Sequence, residues 1–429
     1  MKNLRIAIGC FSLCLGKGGS ERVAVNLSEE MTRRGHQVLL FSHIGPKGET
    51  TPVYPLSSNV RHIALNGSGW HGEVAKLKKI LIYEKIDVFL SLGASAMHFF
   101  WASACIGTGI PIIYSEHSDP VERIEKINWN RQGRMAALYG ADCIHELLPG
   151  YMNTIPQELR EKAIVIPNCA PRNPISAIIK DEGQKTLLYL GRLCEEKRPQ
   201  LLLDAFCLLA DKYPDWNLEI WGYGPLEGRI RGQIKKSETS GRIFFRGQCD
   251  NPGQAYANAQ LYCLPSSHEG FPISVLEAMT AGLPIVGYKS CNAIANIIED
   301  GKTGLLADED SPESLAHALD TLMGDCNLRK SIGDAAKTAA SAYQPDGIYN
   351  KWESLFFEMA NIKGQTIIKS FASEEFLHRA NLSCSARREW LFHDFGKPLP
   401  WSFAWLKKCC VNLVNKLAGN KHFLRGYKL

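Results

Sequence analysis

Short apolar, β-branched runs alternate along this chain with longer stretches whose apolar positions recur every three or four residues. In the first half RIAIGCF, VLLFSHI, VFLSL and PIIYSEH have the length and composition of strands. A glycine-rich turn and a helix from about Glu21 to Arg34 follow the first of them. AIVIPNCAPRNP, residues 163–174, closes this series. A second series then begins with the strand-like runs TLLYLGR, NLEIWGYG, RIFFRG, LYCLPSS and PIVGY. Between them lie helical stretches such as PQLLLDAFCLLADKY, where Leu202, Ala205, Phe206 and Leu209 share one face. SPESLAHALDTLM and IYNKWESLFFEM end the regular pattern as helices. Strand–helix alternation of this kind predicts parallel sheets covered by helices on both faces. The expected architecture is therefore α/β, with two doubly wound Rossmann-like domains at 1–170 and 185–342. A linker at 171–184 joins them, a closing helix covers 343–362, and 363–429 forms an extension outside the pattern. Ligands of such sheets bind beyond the carboxyl ends of the strands, so a cleft between facing domains is the expected site.

One stretch competes with this pattern. Residues 88–114 carry no acidic or basic side chain except His98 and are long enough to span a bilayer. Gly93, Gly107, Gly109 and Pro111 divide them into strand, helix and strand, which favours a buried βαβ unit. The basic, apolar start MKNLRIAIGCFSLCLG resembles a signal peptide, but its apolar run is short and interrupted, so it is expected to be the first strand. A net charge of +5 over 429 residues is too mild to argue for a nucleic-acid partner. The 14 cysteines are scattered, without Cys-x-x-Cys pairs or nearby histidines at zinc-ligand spacing. They suit small buried side chains in a reducing compartment, which predicts a cytoplasmic protein.

Three stretches carry candidate chemistry. In LGKGGSERV, residues 15–23, glycines lead from the first strand into a helix, whose N-terminal N–H groups suit an anion. The spacing is neither G-x-G-x-x-G nor a Walker motif, and a tight strand-to-helix turn is the plainer alternative. In YLGRLCEEKRP, Arg192 and Lys197 follow a strand directly, a combination suited to a diphosphate. Pairing with Glu195 and Glu196 on a solvated surface is the plainer alternative. In SSHEGFPISVLEAM, residues 266–279, Pro272 fits the first helical position. Glu269 then falls in the preceding loop beside the N–H groups of Gly270 and Phe271, and Glu277 in the second turn. Glu277 stands in a run that otherwise looks buried, so it needs a ligand or a partner.

Together these residues resemble the retaining glycosyltransferases of family 4, which have the GT-B fold. HEGFPISVLE with the following AMTAGLPIVG and IIEDGKTGLLAD is similar to that family's signature. GRLCEEKRP, GGSERVAVNLSEEMTRRGHQV and VIPN resemble its diphosphate loop, its N-terminal glycine loop and its interdomain junction. The likeness runs in order from residue 5 to about 358. It implies that Glu277 holds the ribose of a nucleotide diphosphate sugar, while Arg192 and Lys197 neutralise the departing diphosphate. It further implies that Glu269, Gly270 and Phe271 grip the donor sugar, that Gly18 and Gly19 contact the phosphates, and that His117 stands near the sugar. No Asp-x-Asp occurs in a suitable place, so no metal and no cofactor beyond the nucleotide sugar is expected.

The function so implied is transfer of a hexose or N-acetylhexosamine from a UDP-sugar, or a GDP-sugar, to a lipid-linked or surface polysaccharide acceptor, with retention. A nucleotide-sugar epimerase, a sugar hydrolase and a non-catalytic membrane-bound nucleotide-sugar binder are the alternatives. From Trp401 onward the tail carries Lys407, Lys408, Lys416, Lys421, Arg425 and Lys428 without an acidic residue, and Trp401, Phe403 and Trp405 precede an apolar stripe. A basic amphipathic segment of this kind suits an anionic membrane surface, which predicts peripheral attachment at the inner face of the plasma membrane.

Overall fold

The computed structural model describes residues 3–363 apart from 12, 15–17, 46–47, 66–69, 94, 106 and 122–130. The basic tail from Trp401 onward falls outside the described residues. The chain divides into two compact units: Met1–Ile166 with Tyr349–Leu429, and Pro167–Ile348. The second boundary falls inside the helix Pro345–Asn361, where an expected closing helix begins at 343.

The first unit is built on seven parallel strands: β1 (Arg5–Cys10), β2 (Gln37–His43), β3 (Arg61–Leu65), β4 (Val88–Gly93), β5 (Ile112–Glu116), β6 (Cys143–Glu146) and β7 (Ala163–Val165). Their order in the sheet is β3-β2-β1-β4-β5-β6-β7. β1, β4 and β5 are almost wholly buried on both faces, as the strands of a covered parallel sheet must be. The uncharged stretch 88–114 is resolved as expected into β4, the helix Ser95–Cys105 and β5. Trp101 from that helix is fully buried against β1, and a Cβ on Gly9 would come within 2.7 Å of its ring. Among the described residues no helix is long and apolar enough to cross a membrane.

The second unit holds six parallel strands: β8 (Lys185–Leu190), β9 (Trp216–Trp221), β10 (Ile243–Gly247), β11 (Leu261–Leu264), β12 (Ile285–Tyr288) and β13 (Leu305–Ala307). Their order is β10-β9-β8-β11-β12-β13. In both sheets the chain winds outward from the first strand, then returns to its other side. β1 and β4 therefore flank one topological switch point, and β8 and β11 flank the other. Loops leaving the carboxyl ends of such a pair diverge and leave a crevice for a ligand. The sequence pattern does not single out the strands β3, β6 and β13.

Candidate functional site

Six of the nine candidate residues gather at the β8/β11 switch point. β8 leads into Gly191–Arg198, and β11 into the loop that precedes the helix Ile273–Ala281. The two loops are tied by backbone: the Glu196 carbonyl accepts from the Ser267 N–H at 2.8 Å and from its hydroxyl at 3.2 Å. The buried hydroxyls of Tyr189 and Tyr262 support the first loop from beneath, donating to the carbonyls of Arg192 (2.9 Å) and Leu190 (3.1 Å).

Within this frame Lys197 donates to Glu269 in a close ion pair. Glu269 is 8% exposed and also accepts from the Ser266 hydroxyl at 2.7 Å. Arg192 reaches Glu196 at 2.6 Å, and its Nε lies 3.4 Å from the Cys194 sulfur. That sulfur contact, ahead of the Glu196 carboxylate, raises the guanidinium's already high pKa. The surface pairing offered as the alternative for this loop is thus half present. Arg192 takes Glu196, while Lys197 takes the carboxylate of the other loop. Arg198 closes the first loop in the left-handed conformation at φ 47°, and its guanidinium holds Asp310 at 2.7 Å.

Pro272 precedes the helix Ile273–Ala281 as its N-cap instead of opening it, because its ψ of 85° is not helical. Glu277 remains in the second turn and is buried, as its apolar neighbours lead one to expect. Its partner is protein: the Tyr256 hydroxyl donates to it at 3.0 Å. A hydrogen bond to a buried carboxylate contributes about 1.5–3 kcal/mol, so Tyr256→Phe is expected to lower stability by roughly that amount. A shifted urea midpoint with an unchanged slope is the measurement, and an unmoved midpoint counts against the bond. Phe271 is buried edge-on to Tyr343, and Gly270 beside it is half-buried.

The other three candidates lie in the first unit. Gly18 is the N-cap of the helix Gly19–Arg33, without a side-chain cap, and Gly19 is its first residue and not part of the turn. His117 follows β5, and its Nε2 lies 2.9 Å from the Ser115 hydroxyl. Burial first, then His145, pushes its pKa down to about 3, so the imidazole is neutral at physiological pH. Next to it a buried network locks the strand ends. Arg134 donates to Glu116 at 2.7 Å, to Glu146 at 3.2 Å, and to the Thr154 carbonyl and hydroxyl at 3.0 and 2.8 Å. Burial, with Glu116 beside it, raises the Glu146 carboxyl well above its ordinary value.

Sequence reasoning misses Ser266, Tyr256, Ser115 and His145, since each is tied to the site by a fold contact and not by spacing. Gly222 and Gly224 do leave a signal, two glycines directly after a strand. Both have positive φ and lie against the backbone of the Gly191–Leu193 segment.

Comparison with known proteins shows the family of the chain. Residues 173–339 match the glycosyl transferases group 1 family, and residues 17–145 match glycosyltransferase family 4. An uncharacterized glycosyltransferase of Haemophilus influenzae is 26% identical over 360 residues, covering 81% of this chain and 99% of its own. An alpha-1,4-N-acetyl-D-galactosaminyltransferase of Campylobacter jejuni, named for a PP-undecaprenol saccharide, is 24% identical, covering 81% of this chain and 97% of its own. Among solved structures, sucrose-phosphate synthase from Thermosynechococcus elongatus superposes with a TM-score of 0.69 at 17% identity, over 83% of this chain and 99% of that one. Anabaena HepE, solved with UDP and glucose, gives 0.67 at 16% identity, over 83% of this chain and 100% of that one. With two doubly wound units and both family matches in chain order, the chain belongs to the glycosyltransferases of the family 4 type and has the GT-B fold.

Proposed function

We propose that this glycosyltransferase moves a hexose or N-acetylhexosamine from a UDP-sugar to a lipid-linked or surface polysaccharide acceptor, with retention of anomeric configuration. The observation that carries it is the pair of cations, Arg192 and Lys197, on one loop at the β8/β11 switch point, with Glu269 of the neighbouring loop between Lys197 and Ser266. Breaking the sugar C1–O bond leaves its electron pair on the diphosphate, and fixed cations stabilise that charge as it forms. The acceptor hydroxyl bonds to C1 on the face the diphosphate leaves, and its proton passes to the departing phosphate oxygen. In this reading the two side chains supply the positive charge and no metal is required. Glu277 takes the ribose hydroxyls, Glu269 with the N–H groups of Gly270 and Phe271 takes the sugar, and Gly18 and Gly19 take the phosphates. His117 stands near the sugar.

UDP is favoured over GDP because Anabaena HepE was solved with UDP and glucose. A lipid-linked acceptor is favoured because the Campylobacter jejuni relative is named for one. Work on such an acceptor places the enzyme in the cytoplasm at the inner membrane face, with the basic tail at 401–429 as the proposed attachment to anionic lipid.

The test is a thermal-shift panel of nucleotide diphosphate sugars, followed by labelled transfer to membrane lipid. The true donor raises apparent stability by mass action. Release of free sugar or of an isomer without acceptor overturns transfer in favour of hydrolysis or epimerisation. Arg192→Ala is expected to lower kcat/KM about 100-fold, the scale for removing one preorganised charge donor. Its folding stability should change by no more than about 0.5 kcal/mol, since its side chain is 55% exposed and exposed pairs contribute little. Unchanged turnover would remove Arg192 from the site.

A further inference from the structure

A chain of four groups runs from His117 into the interior of the first unit. His117 Nε2 lies 2.9 Å from the Ser115 hydroxyl oxygen, and that oxygen lies 2.8 Å from His145 Nδ1. His145 Nε2 lies 2.7 Å from the Ile166 carbonyl oxygen. Ser115 and His145 are fully buried cross-strand partners near the ends of β5 and β6. The Trp352 ring packs 4.5 Å from the His145 ring, and the Arg134 network fixes the residue after each, Glu116 and Glu146.

The direction of every hydrogen bond in this chain follows from its inner end. A carbonyl oxygen only accepts, so His145 carries its proton on Nε2. Burial, partly offset by the bond to Ile166, pushes the His145 pKa down to about 4, so the ring is neutral and Nδ1 is a lone pair. The single proton of Ser115 must then point to His145 Nδ1. The Ser115 oxygen is left as an acceptor, and only a proton on His117 Nε2 can satisfy it. A neutral imidazole has one N–H, so Nδ1 of His117 is a lone pair as well.

We infer that Ser115 and His145 are positioning residues that hold His117 as its Nε2–H tautomer, so that its Nδ1 accepts a hydrogen bond from a hydroxyl of the sugar substrates. This rests on the proposed place of His117 beside the donor sugar. A lone pair is selective in a way that a freely reorienting imidazole is not: it accepts from a hydroxyl and repels a phosphate oxygen. Reversal of the relay would need a proton on both nitrogens of His145, which its burial opposes.

The experiment is imidazole nitrogen NMR on the full chain with 15N-labelled histidine, assigned with His117→Ala and His145→Gln. Two-bond couplings distinguish the tautomers directly. His117 in the wild type is expected to give the Nε2–H pattern, and Ser115→Ala is expected to lose that single pattern for a mixture. Turnover in Ser115→Ala should fall about tenfold through kcat, with the donor KM little changed, as for one lost hydrogen bond. His145→Gln retains the direction, since the amide N–H donates to Ile166 and the amide oxygen accepts from Ser115. It should therefore keep both the Nε2–H pattern and most of the turnover.

An Nδ1–H pattern for wild-type His117 overturns the relay whatever the activity shows. Full turnover by His117→Ala beside a wild-type Nε2–H pattern overturns instead the place of His117 at the substrate. If Ser115→Ala and His145→Gln lose turnover equally while melting alike, the two residues act through packing and the inference fails.

Discussion

Lys197→Ala is expected to reduce transfer about a thousandfold and to destabilise the second unit at the same time. The ammonium has two duties. It is one of the two cations assigned to the leaving diphosphate, and removing such a charge costs about two to three powers of ten in kcat. It is also the charged partner of Glu269, a carboxylate only 8% exposed that accepts in addition from the neutral Ser266 hydroxyl. Breaking a buried pair leaves an uncompensated charge, for which about 3 kcal/mol is the lower end of the usual range. With Lys197 itself 21% exposed, about 2 kcal/mol is the expected loss. The double variant Lys197→Ala/Glu269→Gln separates the duties. Removing the orphaned charge should restore most of the stability, while transfer stays at the level of Lys197→Ala or below. A thermal melt and labelled-donor turnover measure the two. If the double variant regains transfer, Lys197 serves only to neutralise Glu269 and its diphosphate role is lost.

The same pair shows how far the sequence carries. Alternation of apolar runs predicts both doubly wound sheets, because a strand buried on two faces must be almost wholly apolar and its crossover helix periodic. The order of motifs then places Arg192, Lys197, Glu269 and Glu277 around one pair of strands. What the one-dimensional pattern cannot contain is which charge meets which. Arg192 and Lys197 share a loop, yet one turns to Glu196 and the other crosses to Glu269, 72 residues further on. Glu277 is recognisable as a buried carboxylate in need of a partner, but its partner Tyr256 lies in a helix with no spacing relation to it. The relay behind His117 is hidden for the same reason. Ser115 lies two residues before it, but its meaning depends on His145 from the next strand and on a carbonyl after β7.

Gly224→Ala is expected to abolish donor binding without touching any residue assigned to the donor. The Gly-Tyr-Gly segment after β9 is laid on the backbone of the Arg192 loop. Leu193 donates from its N–H to the Tyr223 carbonyl at 2.9 Å, and its own carbonyl accepts from the Leu226 N–H at 3.0 Å. This close approach requires the absence of two side chains. A Cβ on Gly224 would stand 2.3 Å from the Leu193 oxygen and 2.8 Å from its carbonyl carbon, and one on Gly222 would stand 1.9 Å from the Gly191 oxygen. These neighbours are backbone and cannot swing aside as the end of a side chain does. Gly224 also has φ 153°, where an L-residue is strained whatever the space around it. Alanine must therefore push the loop outward, breaking its ties to β9 and displacing Arg192 and Lys197 together. Strain and lost bonds of this kind cost about 3 kcal/mol or more. Misplacing a charged clamp by about 1 Å costs about a hundredfold in rate. Gly232→Ala is the matched control: it sits in the helix Glu227–Lys236 with nothing within 4 Å of the added methyl, and should gain about 0.5–1 kcal/mol. The measurements are the denaturant midpoint and the thermal shift given by the identified donor. If Gly224→Ala melts with the wild type and retains the donor shift, the loop is held by something other than this glycine contact.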